Sequence, residues 1–275
     1  MQKAIHTKSI FRSNLATDLR IAKESGFGAI EIVGSKLDRF LESGFTTKDL
    51  ARMLKEKNIK AISINDICHI ESPRPEALEK MLEEARRYSS AAEEIGCKSI
   101  QLVPLVELNE RPWEEILEIT SNNVKKICEI GAEHGVGFQL EAVAWSPFNS
   151  LSKGLELIDA VGMDNLGMVV DTWHFWAGGE TKIEEVAKMD PNLIYNIHYC
   201  DGKKQPKDTE WDETKLRGYY FGEGDIPLKE YTEAIKSTGY DGWWSVELVS
   251  SKHWEMDVFD VAERLSKDMD KYISN

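Results

Sequence analysis

A chain of 275 residues has room for two ordinary domains or for one large α/β barrel, whose usual size is roughly 250 residues. Its net charge of −14 argues against nucleic acid and anionic membrane surfaces as partners, because basic clusters are as short as Lys203-Lys204. No apolar run approaches the ~20 residues of a membrane span. The first residues, MQKAIHTKSIFRSNL, lack the apolar segment of a signal peptide, and Cys68, Cys97, Cys128 and Cys200 form no CxxC pair. Reduced thiols and a cytoplasmic location are the expectation.

Short apolar runs alternate with longer helical patterns along the chain. KAIHT near residue 4 and AIEIV at 29–33 read as the first two strands. TTKDLARMLKEKN at 46–58 follows, with Leu50, Met53 and Leu54 on one helical face. The third strand is AISIN at 61–65, and the segment from Ser72 to Gly96 carries a stripe of Leu78, Met81, Leu82, Ala85 and Tyr88 that stops at a glycine. SIQLV at 99–103 is the fourth strand, and the helix after it opens with Pro112 in its first turn and closes at Gly135. GFQLEAV at 137–143, LGMVVD at 166–171, IYNIHYC at 194–200 and WWSVEL at 243–248 complete eight strands, with PLKEYTEAIKSTG repeating the proline-first, glycine-last pattern before the last. Strand–helix alternation implies a parallel sheet, and eight units in this length imply one closed (β/α)8 TIM barrel over residues 1–275. An open dinucleotide-binding sheet would want a glycine-rich turn after the first strand, and HTKSIFRS is not one. The longest irregular stretch, 201–225, follows the seventh strand and reads as a functional loop, a lid or a flap packed on the barrel rim.

Barrel enzymes do their chemistry at the C-terminal ends of the strands. There the chain places Glu141 in QLEAV, Asp171 in VVDTW, His198 in NIHYC and Glu247 in SVELV, with His174 just beyond Asp171. Each has an ordinary explanation alone: a strand glutamate pairs with a neighbouring lysine or arginine, a strand histidine is a satisfied core residue, and a strand-end aspartate caps the next helix. Together, on four successive strands, three carboxylates would repel one another in an apolar mouth. A divalent cation relieves that repulsion, and three carboxylates with one imidazole suit Mn²⁺, Mg²⁺, Co²⁺ or Zn²⁺. His6, Asn65, Asp66, His69 and Gln101, at or past the ends of strands one, three and four, are placed to read substrate hydroxyls. Trp173, Phe175 and Trp176 are either core or a platform for sugar C–H faces, and Trp173 is taken as a substrate contact.

These residues carry a resemblance. LEAV, VVDTWHFWAGG, IHYCD, GEGDIPL at 222–228 and WWSVEL together resemble the sugar phosphate isomerase/epimerase family, the xylose isomerase-like TIM barrels, over nearly the whole chain. Within it, VPLVE after strand four and FLESGFTTKDL after strand two are most similar to the inosose (2-keto-myo-inositol) isomerases. The resemblance implies that Glu141, Asp171, His198 and Glu247 bind one divalent metal, that Glu141 and Glu247 are the acid/base pair for a cis-enediolate proton transfer, and that His174 contacts the substrate, a sugar, inositol or sugar phosphate. Ketose 3-epimerases of the superfamily also carry a glutamate six residues past the first ligand and an arginine six past the ligand histidine. Here Pro147 and Lys204 stand there, which argues against a free-ketose 3-epimerase and leaves Lys204 as a point-charge contact to a hydroxyl or phosphate. A lyase or dehydratase would share the metal site. An endonuclease IV-like repair enzyme would want more than the six histidines present and a less acidic surface, and a non-catalytic binding protein would be expected to have lost ligands. Assembly into a homo-oligomer is left open.

Overall fold

The computed structural model describes residues 1–207 and 209–274. In chain order it runs β1 (Gln2–His6), α1 (Leu15–Glu24), β2 (Ala29–Val33), α2 (Gly34–Glu42), α3 (Thr47–Lys57), β3 (Lys60–Cys68), α4 (Pro75–Ile95), β4 (Ser99–Val103), α5 (Trp113–Glu133), β5 (Gly137–Leu140), α6 (Leu151–Val161), β6 (Leu166–Asp171), α7 (Thr172–Gly178), α8 (Ile183–Val186), β7 (Ile194–Tyr199), α9 (Glu213–Leu216), α10 (Leu228–Ser237), β8 (Trp243–Val246) and α11 (Val258–Ile273). The eight strands pair in sequence order, all parallel, and β1 closes on β8 with Gln2 opposite Trp243 and Ile5 opposite Val246. The chain is therefore a (β/α)8 barrel.

Local chemistry sets the element ends. Thr46 opens α3 with a capping box, its hydroxyl accepting from the Asp49 N–H while the Asp49 carboxylate accepts from the Thr46 N–H. Asn14 and Ser150 cap α1 and α6 by the same kind of bond. α4 and α6 end at Gly96 and Gly162 in the left-handed conformation. Strands covered by helices are buried on both faces, so SIQLV of β4 has no exposed residue. α5 lies close on β5 because Gly131 faces Phe138: a Cβ there would stand 2.3 Å from the ring.

The main differences from the sequence expectation lie near the barrel mouth. β5 and β8 end earlier, at Leu140 and Val246, so Glu141 and Glu247 stand one residue past their strands. Each still donates its N–H to the preceding strand, Glu141 to Leu102 O (3.0 Å) and Glu247 to Tyr199 O (3.3 Å). β3 runs longer, because an irregularity between Ile64 and Ile67 absorbs an extra residue against β4 and lets pairing resume at Ile67 and Cys68. The described part of the 201–225 loop contains α9 and an antiparallel bridge from Asp201 to Tyr219.

Candidate metal centre

The register that closes the barrel also assembles the polar mouth. Asp171 and His198 are direct cross-strand partners on β6 and β7. Glu141 enters from the neighbouring strand on one side and Glu247 from the other. His198 Nδ1 lies 3.2 Å from Glu141 Oε1, 3.2 Å from Glu247 Oε2 and 3.6 Å from Asp171 Oδ2. One donor atom from each of the four residues falls within 4.8 Å of all the others, and all four residues are buried. Three carboxylates and one imidazole nitrogen at this spacing fit a single divalent ion, which would neutralise the buried negative charge they concentrate.

Asp171 divides its work between its two oxygens. Oδ1 accepts the His174 N–H at 2.8 Å and caps α7, while Oδ2 faces the cluster. The capping and metal-binding explanations for this aspartate thus describe different atoms of one side chain.

Two buried groups complete the centre, and neither stood out in the sequence. Arg217, 1% exposed, comes from the loop directly after α9. Its Nη2 donates to Asp171 Oδ2 (2.7 Å) and Glu247 Oε2 (2.5 Å), and its Nη1 lies 3.2 Å from His174 Nε2. Glu31, in the middle of β2 and fully buried, holds the far side of His198, with Oε1 3.2 Å and Oε2 3.3 Å from His198 Nε2. A carboxylate on one imidazole nitrogen fixes the ring and leaves the other nitrogen toward the cluster, the arrangement common behind metal-ligating histidines. Glu31 was visible as a carboxylate in an apolar run, AIEIV, but it lies mid-strand, one layer below the mouth. Arg217 has no comparable signal, since its arrival depends on the path of the loop.

Burial alone would raise every carboxyl pKa here, and the neighbours decide the outcome. Burial does dominate at Glu141, whose carboxyl is raised above the ordinary range. At Asp171 burial is outweighed by Arg217 and His174, and at Glu247 by Arg217 and His6, so both are held below it. Burial disfavours charge on His198, but Glu31 and Glu247 prevail and its pKa is raised well above the usual histidine value.

A cavity of about 160 Å³ opens over the cluster, lined by His6, Lys8, Asn65, Asp66, Gln101, Glu141, Arg217 and Glu247 among others. His6 is 2% exposed, accepts the Lys8 N–H on Nδ1 at 3.1 Å and leaves Nε2 without a hydrogen-bond partner, 3.7 Å from Glu247 Oε1. Asn65 and Gln101 join through a 2.5 Å bond from Nδ2 to Oε1. Four expected residues stand elsewhere. His174 is buried behind Arg217 and does not line the cavity, Nδ1 taking the Ala144 N–H at 3.2 Å. Trp173 has no exposed surface; it packs under Arg217 at 5.2 Å and donates Nε1 to Lys203 O, so it is wall rather than sugar platform. His69 turns away to pair with Glu107 at 2.9 Å and lies in an adjoining cleft. Lys204 is exposed and rests 5.0 Å over the Trp176 ring, because the loop leaves the mouth at that point; it is back beside the cavity at Glu213 and reaches the cluster at Arg217.

The return is fixed by Asp201, whose carboxylate accepts N–H bonds from Gly202, Gly222, Gly224 and Ile226. A Cβ at Gly224 would fall 2.1 Å from Asp201 Oδ1, which explains the glycine in GEGD. Trp211 packs on Trp145 and Trp173 at 5.2 and 5.8 Å. These contacts pack the described ends of the loop on the barrel rim.

Comparison with known proteins agrees with this architecture. The model of the family described as xylose isomerase-like TIM barrel matches residues 19–269. An inosose isomerase of Bacillus velezensis is 27% identical over 247 residues, 89% of this chain and 86% of the relative. A 3-dehydroshikimate dehydratase of Bacillus anthracis is 24% identical over 189 residues, 66% of this chain and 65% of the relative. The solved structure of the IOLI protein with a binding zinc atom superposes with a TM-score of 0.91 at 25% identity, covering 100% of this chain and 98% of that one.

Proposed function

The chain belongs to the xylose isomerase-like TIM barrel family, and on that premise we propose that it is a divalent-metal-dependent isomerase or epimerase acting on a keto-inositol, ketose or sugar phosphate through a cis-enediolate. The observation that carries this reading is the Glu141–Asp171–His198–Glu247 cluster, convergent and buried at the end of the barrel where such folds react. A metal held there would polarise a substrate carbonyl and the neighbouring hydroxyl, and so acidify the intervening C–H. The name of the Bacillus velezensis relative favours an inosose, and the zinc in the similar solved structure makes Zn²⁺ a candidate beside Mn²⁺, Mg²⁺ and Co²⁺.

The two glutamates differ in environment, and the difference suggests their roles. Glu247 is kept anionic by Arg217 and is ready to accept a proton from carbon. Glu141 is not bonded to Arg217, which leaves it the better placed of the two to return the proton to the other carbon or oxygen. Arg217 keeps Glu247 and Asp171 charged, and His6 Nε2 is an unused polar atom beside Glu247 that can meet a substrate hydroxyl. Small neutral substrates suit the acidic chain, and no helix among the described residues is long and apolar enough to cross a membrane.

The test is exchange of the substrate's α-proton with solvent deuterium, measured over a panel of keto-inositols, ketoses and their phosphates after chelation and restoration of Mn²⁺ or Zn²⁺. Exchange should require the metal and should vanish in Glu247→Gln, while part of the metal binding remains. Undiminished exchange in that variant would assign the proton transfer to another group. The Bacillus anthracis relative supports an alternative reading, in which the same enediolate expels a β-hydroxyl; a product lighter by one water would establish it.

A further inference from the structure

The reacting cavity is small. About 160 Å³ falls below the roughly 300–1,000 Å³ usual for ligand sites, and it is closed on most sides by the buried cluster. Beside it lies a cleft of about 640 Å³ between the β2–α2 turn, the end of β3 and the first turns of α4, and Val33, Asn65 and Asp66 line both spaces. We propose that this cleft is a second substrate subsite, which takes a hydroxylated unit joined to the reacting ring, so that the substrate is an extended keto-sugar or keto-inositol glycoside. This deepens the isomerase reading and rests on it.

The junction supplies the first argument. The amides of Asn196, Gln139, Gln101 and Asn65 form a directed chain: Asn196 Nδ2 donates to Gln139 Oε1 (2.8 Å), Gln139 Nε2 to Gln101 Oε1 (3.0 Å), and Asn65 Nδ2 to the same Gln101 oxygen (2.5 Å). The chain fixes which end of the Asn65 amide is which. Asn65 Oδ1 is then a buried acceptor without a partner, on a residue that is only 3% exposed and lines both spaces. A buried acceptor without a donor is costly, and a hydroxyl of a ligand spanning both spaces would satisfy it.

The lining supplies the other. Its cations are already engaged: Arg74 grips Glu107 through Nε at 3.2 Å and Nη2 at 2.8 Å, and Lys80 lies 3.8 Å from Glu84. A phosphate or carboxylate would find no free positive charge and would meet the carboxylates of Asp38, Asp66, Glu76 and Glu84. Acceptor-rich walls interleaved with apolar surface from Val33, Ala77 and Met81 suit a polyol, which offers hydroxyl donors and C–H faces together. Tyr88 OH, bonded to Asp38 at 3.1 Å, lies close to Gly34, where a Cβ would stand 2.4 Å from the hydroxyl. The glycine therefore lets the β2–α2 turn sit directly against Tyr88 in the cleft wall.

The experiment compares single-ring compounds, fructose and an inosose, with ketose disaccharides, isomaltulose and lactulose, by deuterium exchange and by calorimetric binding to the metal-loaded protein. Ala77→Trp, on the α4 wall, fills the cleft without touching the metal cavity, and Ser35→Phe on the opposite wall does the same if the first variant does not fold. The expected result is a kcat/KM for exchange at least tenfold higher for a disaccharide than for the free ring, an advantage lost in Ala77→Trp while single-ring exchange is unchanged. Preference for the free ring, or a disaccharide advantage that survives the filled cleft, overturns the subsite and leaves the isomerase reading intact. If no compound exchanges, that reading fails, and calorimetry decides the cleft alone: disaccharide binding that Ala77→Trp abolishes supports it, and no binding to either form overturns it.

Discussion

The two ends of the barrel differ in opposite senses. At the N-terminal ends of the strands lies the larger hollow, about 990 Å³, walled by residues such as Lys60, Ile62, Gly137, Tyr195 and Trp243. At the C-terminal ends the space over the cluster is about 160 Å³, with the separate cleft of about 640 Å³ beside it. Yet both groups of side chains able to hold a metal among the described residues, Glu141–Asp171–His198–Glu247 and His6–Glu31–His198, belong to the smaller end. The wide end has lysines where helices finish, Lys55 in the last turn of α3 for example, and there they answer the negative helix terminus. Room is what remains where little needs to be held in place. Buried charge, which is costly to maintain, marks the end that has a task.

The largest expected effect lies in the small end. Asp171→Ala removes a carboxylate of the cluster, an Arg217 partner and the α7 cap together, and should reduce activity by about 10³-fold or more and abolish metal binding in equilibrium titration. Asp171→Asn keeps a capping oxygen, so it should lose metal and activity but retain about 1 kcal/mol of stability that the alanine variant loses; thermal melts of the two metal-free variants would show the gap. Next comes Glu31→Gln, which touches no substrate. Loosening His198 from behind should weaken metal affinity by about 10–100-fold, read by competition with a chromophoric chelator, with little change in kcat at saturating metal. Equal affinity would reduce Glu31 to packing.

The acidity of the same end gives a smaller and graded effect. His198 has a raised pKa in the metal-free protein, so below that value a metal must displace its proton, and Glu141, also raised, adds to the competition at lower pH. Affinity should therefore rise with pH from the ordinary histidine range upward, by up to about tenfold per unit for each proton released. Calorimetry in buffers of different ionisation enthalpy would count those protons, and a pH-independent affinity would contradict the arrangement. The smallest effect belongs to the wide end. Lys60→Ala, which removes an exposed ammonium 5.7 Å from the Trp243 ring, should leave kcat/KM unchanged and stability within about 0.5 kcal/mol. A loss of activity there would erase the contrast between the two ends.

The same contrast explains what could be read from the chain. Glu141, Asp171, His198 and Glu247 stood out because charged residues at the ends of apolar strands are anomalous wherever they occur. The eight strands and their order followed from alternation, since a parallel strand covered by helices must be apolar on both faces. Trp173 misled, because an aromatic beside a polar cluster has the same sequence signature whether it faces substrate or lies beneath it. Lys204 was favoured by its spacing from His198, but spacing along a loop does not measure distance across it: the basic residue that reaches the cluster is Arg217, and only the folded path through Asp201 and α9 brings it there. Glu31 was passed over in AIEIV, because a carboxylate in mid-strand shows its role only through its partner, another strand's histidine.

That path through Asp201 has a consequence for how such a protein can change. The only guanidinium bonded to the cluster, among the described residues, is contributed by a surface connection and not by the barrel. Connections accept replacement far more readily than strands do. Exchanging residues 201–225 for another connection of similar span would reset the charge felt by Asp171 and Glu247 while leaving all eight strands as they are. The barrel then acts as a socket, and the chemistry is partly a property of what is plugged into it.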